Sequence, residues 1–346
     1  MRLFDKVHRI WYIFYMGKLI YKNNEYVLFH CKANKRKGYN FDFLFLSPKR
    51  IGENVKIFVE GANSAYYNNN GHYQSYAEQV DFEIQQAIGK CQPQSGKVFN
   101  MPYLYQILHQ PVIIPIFERC DEKHKNEFYA QMLGKNVMHE TDGKYSQLNK
   151  QVLAMIDEVK RNFEKKDVNV SSTCGLIGVS TSAVFANRLQ FIEPETFDMT
   201  ISVCGNAVQP LPLKSKNGVE LTYPLGTADY KELFGKEFNS EAYKNAKILN
   251  IVGANEDNNR YNIVNNSLLH DKETKELYHK VYGDVSLQER QLEIENIYKE
   301  NDYDNCYNLV GKGAHELNSK GMVIAKFVRE YNTHTNNNIN VNEPTM

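Results

Sequence analysis

"GLIGVSTSAVFANRL", Gly175 to Leu189, begins as an apolar strand and ends as a helix, with a tight Gly-Val-Ser-Thr-Ser corner between them. A strand that turns sharply into a helix at a serine holds that hydroxyl clear of the sheet. The next N–H, on Thr181, then lies at the positive end of the helix, where negative charge is favoured. Ser180 is therefore the candidate nucleophile of this corner. The pattern departs from G-x-S-x-G, because Ser182 stands where the second glycine is expected. A small residue still permits the turn. Ser182 reads either as a rival nucleophile or, more simply, as a residue that starts the helix.

The same kind of apolar run recurs along the chain. "FDFLFL" (41–46), "VKIFVEG" (55–61), "PVIIPIF" (111–117), "MTISVCG" (199–205), "ILNIVG" (248–253) and "CYNLVG" (306–311) join "CGLIGV" (174–179). Several are apolar almost throughout and do not alternate with polar residues, which marks central strands covered on both faces. Helical patterns lie between them. In 147–166, Leu148, Val152, Met155, Ile156, Val159 and Phe163 fall on one helical face. The segments 182–192 and 320–331 also read as helices.

Strands alternating with helices predict an α/β fold with a mainly parallel central sheet and helices on both faces. The N-terminal "RIWYIFYMGKLIY" and "NEYVLFHCK", turning at Asn23-Asn24, predict an antiparallel hairpin at one edge. Residues 1–332 read as one domain. Within it, 258–300 is a helical insertion, either a long crossover or a small cap. The tail 333–346 has almost no core formers and reads as disordered.

Composition removes several function classes. Lys plus Arg and Asp plus Glu each number 41, so no net field draws the chain to nucleic acid or to an anionic membrane. The six cysteines form no CxxC pair, so no zinc framework is expected. Cys174, Cys204 and Cys306 lie in apolar runs and read as small core residues. The apolar N-terminal run is too short to span a bilayer and lacks a cleavage site of small residues. The expectation is a cytoplasmic protein with no membrane span, although an upstream start would leave export open. "GKG" at 311–313 lacks P-loop or G-x-G-x-x-G spacing, which makes a nucleotide-binding enzyme a poor reading. No cofactor and no metal are expected.

In an open parallel sheet, reacting groups collect at the carboxyl ends of strands. Ser180 follows "CGLIGV", Glu256 and Asp257 follow "ILNIVG", and His315 follows "CYNLVG" in the glycine-rich "GKGAHE". A serine hydroxyl needs a general base, and a histidine base needs a carboxylate to hold its tautomer. Either Glu256 or Asp257 suits that need; aspartate is the commoner partner, and Asp257 is favoured. The oxyanion needs N–H donors. Thr181 is one, and Gly61, Ala62 and Asn63, after the strand at 55–59, are candidates for the second. Tyr66 and Tyr67 are weaker candidates for pocket lining.

"CGLIGVSTSAVFANRLQFIEPETFDMTISVCGNAVQPLPL" resembles the elbow, helix and next strand of α/β-hydrolases of the polyhydroxybutyrate-depolymerase and feruloyl-esterase-like branch. "PVIIPIFERCDE", "TYPLGTADYKELFG" and "ILNIVGANEDNNRYN" look like parts of the same group, over about 40–330. The resemblance implies a serine hydrolase acting on small-molecule carboxylic esters, with Ser180 as nucleophile, His315 as base and Asp257 as acid. The alternative is an inactive protein of the same fold that binds a ligand or partner. Oligomeric state and exact substrate are not readable.

Overall fold

The side-chain oxygen of Asn23 accepts hydrogen bonds from Glu25 N–H and Tyr26 N–H, closing the turn between β1 (Lys18–Lys22) and β2 (Tyr26–Cys31). The two strands pair antiparallel, as the turn at Asn23-Asn24 predicts. The computed structural model describes residues 17–52, 54–62, 75–90, 101–118, 130–257 and 272–341. The part of the predicted first strand before residue 17 lies outside them.

The sheet continues through β3 (Phe43–Pro48), β4 (Phe58–Glu60), β5 (Val112–Pro115), β6 (Cys174–Val179) and β7 (Phe197–Val203). A separate small hairpin, β8 (Ser215–Lys216) and β9 (Val219–Glu220), follows, then β10 (Lys247–Gly253) and β11 (Cys306–Gly311). The strand order is β1-β2-β3-β5-β4-β6-β7-β10-β11. From β5 to β11 every pairing is parallel; β3 joins β2 and β5 antiparallel. Each strand expected from an apolar run is present, with ends shifted by a few residues. The exchange of β4 and β5 in the order is set by tertiary packing and has no local signal.

Helices flank this sheet: α1 (Tyr76–Ala87), α2 (Met101–Leu108), α3 (Lys135–Met138), α4 (Leu148–Glu164), α5 (Thr181–Ile192), α6 (Tyr230–Phe234), α7 (Ser240–Asn245), α8 (Lys272–Tyr282), α9 (Leu287–Glu300) and α10 (Gly321–Val341). The pleat divides the core in two. Leu176 and Ile248 face one cluster with α4, α5, α8 and α9, while their neighbours Ile177 and Leu249 face another with α1, α2 and α10. The predicted stripe of α4 is buried as expected, from Leu148 to Phe163. Burial of each such large apolar side chain contributes roughly 1.5–3 kcal/mol. α9 covers the β10–β11 edge with Ile294, Ile297 and Tyr298. The closing helix α10 enters the stretch read as a tail. No helix among the described residues is long and apolar enough to cross a membrane.

α5 is buried from Ser182 to Ile192, which is why it carries small residues and few charges. Its polar side chains need partners, and β7 supplies them. Thr200 Oγ donates to Gln190 Oε1 at 2.7 Å, and Asn187 Nδ2 donates to Ser202 Oγ at 3.0 Å. These bonds fix α5 against the sheet directly behind the corner at Ser180.

Candidate active site

β6 ends at Val179 and α5 begins at Thr181, so the whole change of direction falls on Ser180. Its φ is 60° and its ψ −120°, a sparsely populated region for a residue with a side chain. Such a conformation costs on the order of 1–3 kcal/mol and persists only where neighbours enforce it. Here Ser180 N–H donates to Val203 O at 2.8 Å, and Ala183 N–H donates back to Ser180 O at 3.0 Å.

Ser182 supplies the rest of the enforcement. Its Oγ accepts from Val179 N–H at 2.7 Å and donates to Val179 O at 2.9 Å. The side chain is fully buried and pins the strand end to the helix start. This explains the departure from G-x-S-x-G. The glycine that the corner does require is Gly178, where an added Cβ would run into the carbonyl of Ser182 and the amide of Ala183. Gly178→Ala is therefore expected to cost at least about 1–3 kcal/mol, as overpacking against backbone does. Urea unfolding midpoints measure the cost; an unchanged midpoint would show that the corner relaxes freely.

His315 lies in the loop after β11, with its ring almost wholly buried. Its Nε2 is 2.9 Å from Ser180 Oγ, and its Nδ1 is 2.6 Å from Glu256 Oε2. Glu256 follows β10 and is 4% exposed, with Oε1 accepting from Gly253 N–H at 2.6 Å. The preference for Asp257 is thus corrected. The turn after β10 directs Glu256 inward to the imidazole, while Asp257 is exposed. Burial raises the Glu256 pKa, but the hydrogen bond and charge of His315 and the Gly253 amide outweigh it, so the carboxyl titrates below its usual range. An ionised Glu256 only accepts, so Nδ1 carries the proton and Nε2 presents its lone pair to the serine hydroxyl.

The two loops are tied together by their backbones. Ala254 N–H donates to Gly311 O at 2.8 Å, and Asn255 N–H donates to Gly313 O at 3.0 Å. Lys320 then clamps the histidine loop from beneath. Its buried ammonium donates to the carbonyls of Lys312, Ala314 and Glu316, at 3.2, 2.8 and 2.9 Å. Sequence reasoning missed Lys320, since a lysine entering a helix reads as a solvated face. The pattern K-G-x-x-x-x-x-x-K carries no signal of burial.

The expected oxyanion donors fall on neighbouring strand ends. Gly61 and Ala62 leave β4, which pairs with β6 as far as Glu60 opposite Ile177, so they border the end of β6 where Ser180 sits. A Cβ on Gly61 would press into the Phe185 ring at 2.7 Å, which accounts for glycine there. Thr181 opens α5. Asn63, Tyr66 and Tyr67 lie outside the described residues.

One sheet therefore carries a serine corner on β6, a carboxylate after β10 and a histidine after β11, in that chain order, across parallel strands led by an antiparallel edge. This is an α/β-hydrolase fold. The α/β-hydrolase sheet accounts for all of the strands from β2 to β7, β10 and β11, and β1 extends its antiparallel edge.

No family model matches the chain, and no curated protein matches it. Among solved structures it is similar to poly(aspartic acid) hydrolase-1 from Sphingomonas sp. KT-1, at 13% identity and a TM-score of 0.45, over 85% of this chain and 94% of that one. It is similar to a poly(3-hydroxybutyrate) depolymerase from Bordetella parapertussis, at 12% identity and a TM-score of 0.40, over 88% and 87%. An S-formylglutathione hydrolase from Agrobacterium tumefaciens gives 12% and 0.39, over 91% and 97%. These likenesses are loose, and the placement in the α/β-hydrolase fold stands on the strand order and the corner.

Cys204, at the end of β7, is buried beside the pair formed by Glu256 and His315. Among the described residues, Cys204, Glu256 and His315 form the group of His, Cys, Asp or Glu side chains whose spacing suits a metal ion.

Proposed function

We propose that this chain is a serine-dependent acyl hydrolase that cleaves small-molecule carboxylic esters through an acyl-enzyme. The observation that carries this reading is the hydrogen-bonded line from Ser180 Oγ through His315 to Glu256. Ser180 attacks the ester carbonyl while His315 Nε2 takes its proton. Glu256 holds the Nδ1 proton and stabilises the imidazolium. The negative oxygen of the tetrahedral intermediate is held by Thr181 N–H at the α5 N-terminus and by backbone N–H in 61–62. His315 returns the proton to the departing alcohol. A water molecule, losing its proton to His315, then attacks the acyl group and releases the acid and Ser180.

The strained backbone at Ser180 supports the same reading, because strain of this kind collects where an exposed nucleophile is presented. The test is labelling with a fluorophosphonate probe, together with hydrolysis of short p-nitrophenyl esters. Wild-type protein is expected to label at Ser180, and Ser180→Ala to lose both the label and the activity. A folded wild type that takes no label would defeat the proposal and leave a ligand-binding protein of this fold.

A further inference from the structure

Three side chains with different metal-binding atoms meet at the back of the site. A Cys204 sulfur, a Glu256 oxygen and a His315 nitrogen all lie within 4.8 Å of one another. Cys204 reaches this place because its φ of 57° turns the chain at the end of β7, and its N–H donates to Ile251 O of β10 at 2.7 Å. Its thiol contacts the Glu256 carboxylate, and its sulfur lies 3.7 Å from Glu316 O. The proposed reaction needs only Ser180, His315 and Glu256, so the thiol is chemistry that the mechanism leaves unused.

The geometry points to an inhibitory site for a thiolate-seeking divalent cation, zinc being the type, held by Cys204 Sγ, Glu256 and His315 Nδ1. Zn–S of about 2.3 Å and Zn–N or Zn–O of about 2.0–2.2 Å, arranged tetrahedrally, separate the ligand atoms by roughly 3.4–3.6 Å. The three ligand atoms lie within 4.8 Å of one another, and the 2.6 Å between Nδ1 and Glu256 Oε2 must open by about 1 Å to admit the ion. The cation enters between Glu256 and the ring, replaces their hydrogen bond, and keeps one position for water. Cys204 gives up its proton to solvent and binds as thiolate. The Nδ1 lone pair goes to the metal, so the ring proton moves to Nε2. Nε2 then faces Ser180 as a donor and cannot accept the serine proton. The metal thus switches the base off without covering the nucleophile.

Metal binding here stands on the three side chains alone; its inhibitory effect rests on the hydrolase reading of the same site. Both are tested on the intact chain. Zinc added in a calorimeter is expected to bind at one ion per chain. Cobalt in its place is expected to show a thiolate-to-cobalt charge-transfer absorption in the near ultraviolet. Cys204→Ala should abolish that band and weaken zinc by at least about tenfold, since losing a mere supporting partner of a ligand already costs about 10–100-fold. Ser180→Ala should keep both. Cys204→Ser serves if the alanine variant does not fold. In wild type, zinc should slow fluorophosphonate labelling of Ser180, and a chelator should restore it; the Cys204 variants should lose this sensitivity. A missing charge-transfer band, or undiminished zinc binding in both Cys204 variants, overturns the proposal. If metal-free wild type never labels at Ser180 while the cobalt band appears, the hydrolase reading fails and the metal site stands.

Discussion

Glu256→Gln is expected to lower kcat for ester hydrolysis by about 10⁴-fold, the scale of an amide put in place of the orienting carboxylate of a catalytic triad. Asp257→Asn is expected to change it by less than about threefold, because Asp257 is exposed and lies outside the line through the imidazole. The reasoning concerns one proton. Glu256 Oε2 is 2.6 Å from Nδ1 and, as a carboxylate, only accepts. A glutamine placed there can rotate its amide to donate to Nδ1 instead. Nδ1 would then become the acceptor, and the ring proton would sit on Nε2, facing the serine. The other amide orientation leaves the tautomer intact but removes the charge that stabilises the imidazolium. Either way the base is lost or weakened, while packing barely changes. Steady-state kinetics with a p-nitrophenyl ester, on variants whose unfolding midpoints match wild type, would decide it. If Asp257→Asn were the damaging change and Glu256→Gln harmless, the assigned line through the imidazole would be wrong.

The second large effect is on stability and concerns Glu60, the last residue of β4. It is buried, and Tyr105 Oη donates to its Oε2 at 2.6 Å. Burial is the main cause that pushes its pKa to about 8; the Tyr105 bond pulls down, and the neighbouring Glu83 pushes up again. Between its ordinary value near 4.5 and this raised one, the folded chain holds a proton that the unfolded chain has released. Stability from this group is therefore full below about pH 4.5 and is lost as pH rises toward 8. Over pH 5 to 9 that loss is on the order of 4 kcal/mol. Glu60→Gln stays neutral and still accepts from Tyr105. Urea denaturation of the variant should therefore show a flatter pH dependence than wild type, with the variant the more stable at pH 9. Parallel curves for the two proteins would mean that Glu60 is ionised in the fold. Because Gly61 and Ala62 follow it directly, alkaline weakening of β4 should also loosen the proposed oxyanion loop.

The strands were legible because burial on both faces demands unbroken apolar runs, and seven such runs became strands of one sheet. Ser180 and His315 were legible because each follows a strand at a glycine-bearing corner. The carboxylate was legible only as a pair. Glu256 and Asp257 are adjacent, chemically alike and both in a turn, and the turn's path alone decides which one points inward. The role of Ser182 was half legible: small size was predicted, but not its two bonds to Val179. Lys320 and Cys204 were illegible for a different reason. A lysine reads as solvated and a cysteine as core filler until the fold brings three carbonyls to the one and a carboxylate–imidazole pair to the other. The small β8–β9 hairpin and the exchange of β4 with β5 depend on contacts between segments far apart in the chain.

The clamp formed by Lys320 has a consequence for the order in which the molecule comes into being. Ser180 precedes His315 by 135 residues. Its corner is complete once β7 has been added, since Val203 closes it. The imidazole comes only with β11, and its loop is held by an ammonium at the threshold of the closing helix. Chains are made and fold from the N-terminus forward. During synthesis the proposed nucleophile is therefore built early and waits without its proposed base. The proposed chemistry is armed late, by β11 and by Lys320, the residue just before α10.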